Sequence, residues 1–591
     1  MINFLLKFVE LYKNHTLSIT ASFAFFILFL LAMQGFDVVD EGWYMTFYQQ
    51  IFNYPETVEY NFVYYLTGLF GGLCYELFPN GGVLSFRILA ICCLVLTFAL
   101  AYKILIKHIT KRIAILSLLM LLFVNDFGYV AFYYNHLSGF LAVLTIVFLY
   151  KGLEKNNIIL LLIAGALTAI NVFSRLPNIT LFAFSLVFFV QLFWNKNLNI
   201  KYAIKQALVY GLGAVFGFVI MYLILLAFGH LDIMTQSFFA ILDKGKNSGS
   251  NHNFSRLLIV YLKDYYTIFK ALLKLIVAFF ILVSVRSILP KNIISKIIWH
   301  ILGVALFVFI CKANAIYTLY AISLLGCFGL LFNKTLSPNL KRLSFLALII
   351  MVFLPLGSDG GINNAGYVCV WLAFPLGIYG IIKSEIFVFS LKIKYLNSIL
   401  KNNTTIPIFG MFFIGFFILK SYKISNEAYF DSGNRYYKTH AINNHLAKGV
   451  YTTKERAIII NDVLLALQNY VKKDDYLLAY DKIPMLNFLT ETKPYMYNSW
   501  VWVYDGALFK KQIQRAQLEI EVLPIVVQQK FETIVNFSNP DFNYMSEEKE
   551  DDYIYNKNRV KAMNAFLKQN NYAIVWSNNY FNIYKSISNS K

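Results

Sequence analysis

Charge is scarce in this chain. Asp, Glu, Lys and Arg make up 14% of its 591 residues, against 58% hydrophobic and 18% aromatic. Soluble domains carry about a quarter charged residues, so an ordinary soluble protein is excluded. Cysteine is scarce too. The six, Cys74, Cys92, Cys93, Cys311, Cys327 and Cys369, lie in or beside apolar segments. None follows Cys369, so the polar C-terminal part needs no disulfides. No Cys-x-x-Cys spacing speaks for a structural zinc site. His440 and His445 are poorly aligned on a helix and form no metal signature. There is no internal repeat, and no Ala-x-Ala-like exit follows the first apolar run.

Apolar runs dominate instead. Thirteen have near-membrane length: 17–34, 83–106, 113–130, 137–150, 158–174, 179–194, 207–228, 271–286, 297–311, 315–332, 343–356, 368–383 and 406–421. Basic residues mark alternate loops, beginning with Lys7 and Lys13, then Lys107, Lys111 and Arg112, and ending with Lys383, Lys392, Lys394 and Lys401. The positive-inside rule sets the N-terminus in the cytoplasm and everything after Tyr422 outside, in an inner (plasma) membrane. The net charge of +20 follows from this topology, so nucleic acid is not an expected partner. The expected fold is an α-helical polytopic membrane protein of about thirteen transmembrane helices with a small α/β extracytoplasmic domain. The membrane domain covers 1–421, with outward juxtamembrane helices in 34–82 and an outward loop at 229–270. The α/β domain covers 422–591.

Asp40-Glu41 follows the first apolar run, in Asp37-Val-Val-Asp40-Glu41-Gly42-Trp43-Tyr44. Carboxylates at a bilayer lip are costly to hold without a partner or a task. One reading is a cap on an interfacial helix starting near Gly42. The other is a general base for a hydroxyl presented from water, with Glu41 orienting Asp40 or the acceptor. Aromatic pieces follow at Trp43 to Phe52 and at Phe62 to Phe78, as expected of helices lying in the interface plane. Arg87 opens the second run.

The pattern Asp-Glu-x-x-Tyr after span one, an aromatic juxtamembrane helix and an Arg opening span two resembles the GT-C membrane glycosyltransferases. The likeness is to the family 39 and family 83 types, which include protein O-mannosyltransferases and lipid A aminoarabinose transferases. It covers Met1 to about Trp194 by motif and the rest by organisation. It implies an Asp base, here Asp40, and a sugar donor on a polyprenyl phosphate. The acceptor is a glycan, a lipid or a protein hydroxyl, and membrane lipid is a further partner. Relatives differ in metal dependence; no ligand cluster here assigns a metal, so the cofactor is left open.

Other outward residues have candidate roles. Arg175, in Ser174-Arg175-Leu176-Pro177-Asn178, suits a donor phosphate because guanidinium offers a bidentate fork. Lys244, Lys246 and Arg256, in and beside a polar Gly-rich loop, are further phosphate candidates. Tyr44, Asn135, His136 and Asp359 are candidates for acceptor or sugar contacts. Relatives carry an acid in the second outward loop; here Asp126 is the nearest, and Asn135-His136 occupies the turn. A lipid-linked glycan transporter is the competing reading, but few charges lie mid-span, with Lys274 and His300 the main ones. A non-catalytic assembly protein leaves Asp40, Glu41 and Arg175 without roles.

Overall fold

The computed structural model describes the backbone of residues 2–124, 131–195, 198–246, 253–290, 292–383, 405–428, 430–531, 540, 543–551 and 555–587. Most of these are helical. Among the described residues nine helices are long and apolar enough to cross a membrane, from His15–Ala32 to Thr405–Asn426. A tenth arises if Gly361–Cys369 and Ala373–Lys383, bent by 76°, make one span. The chain is thus a helical multi-pass membrane protein with a small C-terminal sheet.

The thirteen expected runs all fall wholly or partly on helices, but three of these are short. Lys111–Leu122, Ile158–Val172 and Pro338–Phe353 have 12, 15 and 16 residues. At about 1.5 Å per residue they fall short of the roughly 30 Å hydrocarbon layer. Ile158–Val172 packs closely on Ile200–Ala227 through small residues. A Cβ on Gly165 would meet the Tyr210 carbonyl oxygen at 1.9 Å, and one on Gly213 the Leu162 oxygen at 2.0 Å. Small residues let helix backbones approach where water gives no hydrophobic drive. Leu208, Leu212, Phe216 and Leu223 lie on the exposed side of Ile200–Ala227, as a lipid-facing stripe must.

The expected span at 271–286 is the end of a longer helix, Phe254–Ile288. Asn253 starts it early by accepting the Ser255 amide at 3.0 Å. The basic piece at 256–270 is therefore continuous with the span.

Among the described residues the C-terminal part holds seven strands. A short antiparallel pair joins β1 (His440–Ala441) to β2 (Tyr451–Thr452). The main sheet contains β3 (Tyr476–Tyr480), β4 (Lys493–Pro494), β5 (Ile525–Gln529), β6 (Tyr572–Ser577) and β7 (Phe581–Ser586), in the order β4-β3-β5-β7-β6. β3 runs parallel to β4 and β5, and β7 antiparallel to β5 and β6. Alternation along β3 divides the core. Leu477 and Ala479 join the large hydrophobic core that continues into the membrane helices. Leu478 and Tyr480 face a separate core with Phe509, Ile513, Met563 and Phe566. The β6–β7 turn is held by Asn578, whose side-chain oxygen accepts the Tyr580 and Phe581 amides at 2.8 and 2.7 Å.

The helix Asp40–Gln50 joins the two parts. Ten of its 11 residues are buried, so it does not lie with one face open in an interface plane. The C-terminal domain covers it. The Met485 amide donates to the Val38 carbonyl at 3.1 Å, and a Cβ on Gly42 would meet the Met485 nitrogen at 2.2 Å. On its other side Tyr48 donates to the Phe132 carbonyl at 3.0 Å.

Candidate active site

The loop leaving the first span is fixed by ions. Arg87 donates Nε to Glu41 Oε1 at 2.7 Å and Nη2 to Oε2 at 2.5 Å. The same guanidinium donates to the Ala32 and Gly35 carbonyls at 2.5 and 2.9 Å. Both carboxylate oxygens of Glu41 are thus engaged, and the pair is buried. The helix starts at Asp40 and not near Gly42, so Asp40 and Glu41 both lie in its first turn as anions at a helix N-terminus. Asp37 adds a cap by accepting the Val39 and Glu41 amides at 2.7 and 2.9 Å. Burial, with Asp40 and Glu41 nearby, pushes the Asp37 carboxyl well above its usual range.

The C-terminal domain completes this knot. Asp431 accepts from the Phe36 amide at 2.8 Å, from Thr452 at 2.6 Å and from Lys438 at 2.8 Å. Arg456 donates to the Phe36 carbonyl at 2.7 Å. Arg435 donates to the Leu31 carbonyl at 3.1 Å.

Asp40 is half-buried and close enough to act electrostatically on Tyr44, Tyr133 and Tyr134. Tyr64 and Tyr134 stack at 4.4 Å with 6° between planes. The Tyr44 ring lies 6.4 Å from Tyr64, 5.6 Å from Tyr133 and 6.1 Å from Tyr134. Arg175 sits over Tyr134 at 5.7 Å, a cation–π distance. Asp40 acts electrostatically on Tyr44 and Tyr133, and Arg175 and Asp359 both act on Tyr64. Burial raises the Tyr44 and Tyr64 hydroxyls well above the usual phenol range, so both are neutral donors.

Local sequence explains how Arg175 arrives there. Ser138, Asn171, Ser174 and Asn178 form a buried polar knot beneath it, with Asn178 Nδ2 to Ser138 Oγ at 2.8 Å and Ser174 Oγ to Asn171 Oδ1 at 2.6 Å. The Leu66 amide donates to the Phe173 carbonyl at 2.8 Å, bringing Tyr64 alongside. Arg175 itself donates to the Leu354 carbonyl at 3.0 Å, in the loop that carries Asp359. That loop is held from behind by Asp264, which accepts the Ile362 amide and the Tyr317 hydroxyl, each at 2.6 Å. Gly361 has φ +54°, and a Cβ there would meet Asp264 Oδ2 at 2.1 Å, so glycine is required.

The structure therefore brings Asp40, Tyr44, Arg175 and Asp359 around one tyrosine cluster. Asn135 is at its edge, donating to Asn364 Oδ1 at 3.3 Å. His136 is buried with its ring 4.8 Å from Tyr133 and 6.0 Å from Tyr367. Arg256 is exposed near the start of Phe254–Ile288. The side chains of Lys244 and Lys246, and Asp126 as a whole, lie outside the described residues. Among the described residues no group of three or more His, Cys, Asp or Glu side chains is placed to hold a metal ion. Sequence reasoning missed Tyr64, Tyr134 and Asn364 as parts of one cluster. The adjacent aromatics Tyr133-Tyr134 in a second outward loop were the available signal.

No protein-family model matches the chain, and no curated protein matches it.

Proposed function

We propose that the protein is an integral-membrane glycosyltransferase that moves a sugar from a polyprenyl-phosphate donor to an acceptor hydroxyl at the outer face. The observation that carries this reading is the meeting of a half-buried carboxylate, Asp40, and a buried guanidinium, Arg175, on one tyrosine cluster. A base and a cation flanking neutral hydroxyl donors are what displacement at an anomeric carbon requires.

In this mechanism Asp40 takes the acceptor hydroxyl proton as its oxygen bonds to the anomeric carbon. The bond from that carbon to the phosphate oxygen breaks, and its electron pair leaves with polyprenyl phosphate. One displacement inverts the anomeric configuration. Arg175 stabilises the growing phosphate charge, with Arg256, Lys244 and Lys246 as further cations of the outward loop. Tyr44 and Tyr64 donate to sugar oxygens, and Asp359 and Asn135 contact sugar or acceptor hydroxyls. Glu41, locked to Arg87, keeps Asp40 in place. The lipid tail stays in the bilayer, which raises its local concentration and fixes its direction. Thirteen spans, three of them on helices shorter than the hydrocarbon layer, a cytoplasmic N-terminus and an outward C-terminal domain complete the proposal.

The test is the purified full chain in lipid, given a panel of polyprenyl-phosphate sugars with glycan, lipid and peptide acceptors, with products read by mass. Transfer with release of polyprenyl phosphate is expected. Absence of transfer from every donor, with the protein folded, contradicts the reading.

A further inference from the structure

The aromatic cluster does not stop at the membrane domain. From Tyr134 the rings continue through Tyr64 to Trp43, at 5.9 Å and 88°. Trp43 meets Trp500 of the C-terminal domain at 5.5 Å, and Trp500 stacks on Trp502 at 5.4 Å and 18°. Tyr60 branches from Trp43 at 6.3 Å. All of these except Trp43 are half-exposed, so the series is a wall rather than a sealed core.

The wall is rigid. Trp43 Nε1 donates to Asn498 Oδ1 at 2.8 Å, and Asn498 Nδ2 donates to the Trp500 carbonyl at 2.9 Å. The Trp502 amide donates to the Asp481 carbonyl at 3.3 Å, and Arg559 donates to the Trp502 carbonyl at 3.0 Å. Beneath it, Trp500 Nε1, Ser499 Oγ and both amide atoms of Asn61 are buried without a hydrogen-bond partner. Buried polar atoms cost free energy unless something bonds them. The nearby ions Glu59 and Arg515 pair with each other at 2.9 Å, which leaves the track itself neutral.

Flat apolar faces edged by neutral hydrogen-bonding groups fit a chain of sugar rings. Each ring offers a C–H face for stacking and hydroxyls at its rim. Aromatic side chains supply large contact area at little entropic cost. We propose that the acceptor is a glycan of several units, and that it lies along Trp502, Trp500 and Tyr60 with its reacting end at Asp40. This rests on the transferase reading and names its acceptor class.

Binding tests it separately from chemistry. Purified full-length protein is applied, without donor, to a printed array of linear oligosaccharides of one to six units. Retention of some chains of three or more units is expected. Trp502→Ala should weaken that retention at least tenfold, Trp502→Phe should keep most of it, and Val522→Ala should not change it. Thermal unfolding in detergent checks that the variants fold. If wild type retains no oligosaccharide, or Trp502→Ala retains the same chains equally, the proposal is overturned. Binding with the expected losses but without any transfer sinks the transferase reading and leaves the track standing.

Discussion

Two regions share the five residues from Asp37 to Glu41, and they treat charge in opposite ways. On one side is a closed clamp: Glu41 with Arg87, and Asp431 with Lys438 and Arg456. Its charges are buried and matched, and several also bond backbone carbonyls of the loop. On the other side is the half-open tyrosine cluster, where Asp40 and Arg175 both act on the Tyr134 ring. Matched buried ions fix geometry. Neighbouring carboxylates of one dipeptide thus have different surroundings: Glu41 is buried against Arg87, and Asp40 is half-buried beside the tyrosines.

Removing Asp40 should have the largest effect. Asp40→Asn should lower sugar transfer by roughly 10²–10⁴-fold, the usual worth of a positioned general base. Its thermal unfolding should stay near wild type. Cutting the clamp comes next. Arg87→Met leaves Glu41 buried without its partner and should destabilise the protein by roughly 3–5 kcal/mol. Glu41→Gln combined with Arg87→Met should recover part of that loss, as a double-mutant cycle in unfolding experiments will show. Arg175→Gln should lower transfer by about 10²-fold, as loss of a charge-stabilising donor does. Arg175→Lys should restore part of it. If Arg87→Met and Asp40→Asn behaved alike in both readouts, the division between clamp and cluster would be lost.

The smallest effect concerns Asp37. Its folded carboxyl titrates above the unfolded value, so its contribution to stability is full below the unfolded value and fades as pH rises through the folded one. Asp37→Asn does not titrate. The stability lead of wild type over Asp37→Asn should therefore shrink as pH rises, measured by thermal unfolding across that range. A lead that grows with pH contradicts the assignment.

Much of the architecture was legible. Apolar run length located the helices, and the C-terminal sheet lies in the segment read as α/β. The short strands β1, β2 and β4 carry too few residues for a period and exist through pairing with distant partners. The early start of Phe254–Ile288 was hidden because polar residues around it suggested a loop. At the site, Asp40, Tyr44 and Arg175 were readable from their positions at span ends. The engagement of Glu41 by Arg87 was not, because it joins residues 46 positions apart. Nor was the burial of Asp40–Gln50, which depends on the C-terminal domain more than 400 residues later.

The central claim is that Asp40 does chemistry and does not hold the donor. The most direct measurement compares donor binding with single-turnover transfer in wild type and Asp40→Asn. A radiolabelled polyprenyl-phosphate sugar accepted by wild type serves as probe. The account predicts equal donor affinity, with transfer reduced at least a hundredfold. Transfer at the wild-type rate in Asp40→Asn would contradict it.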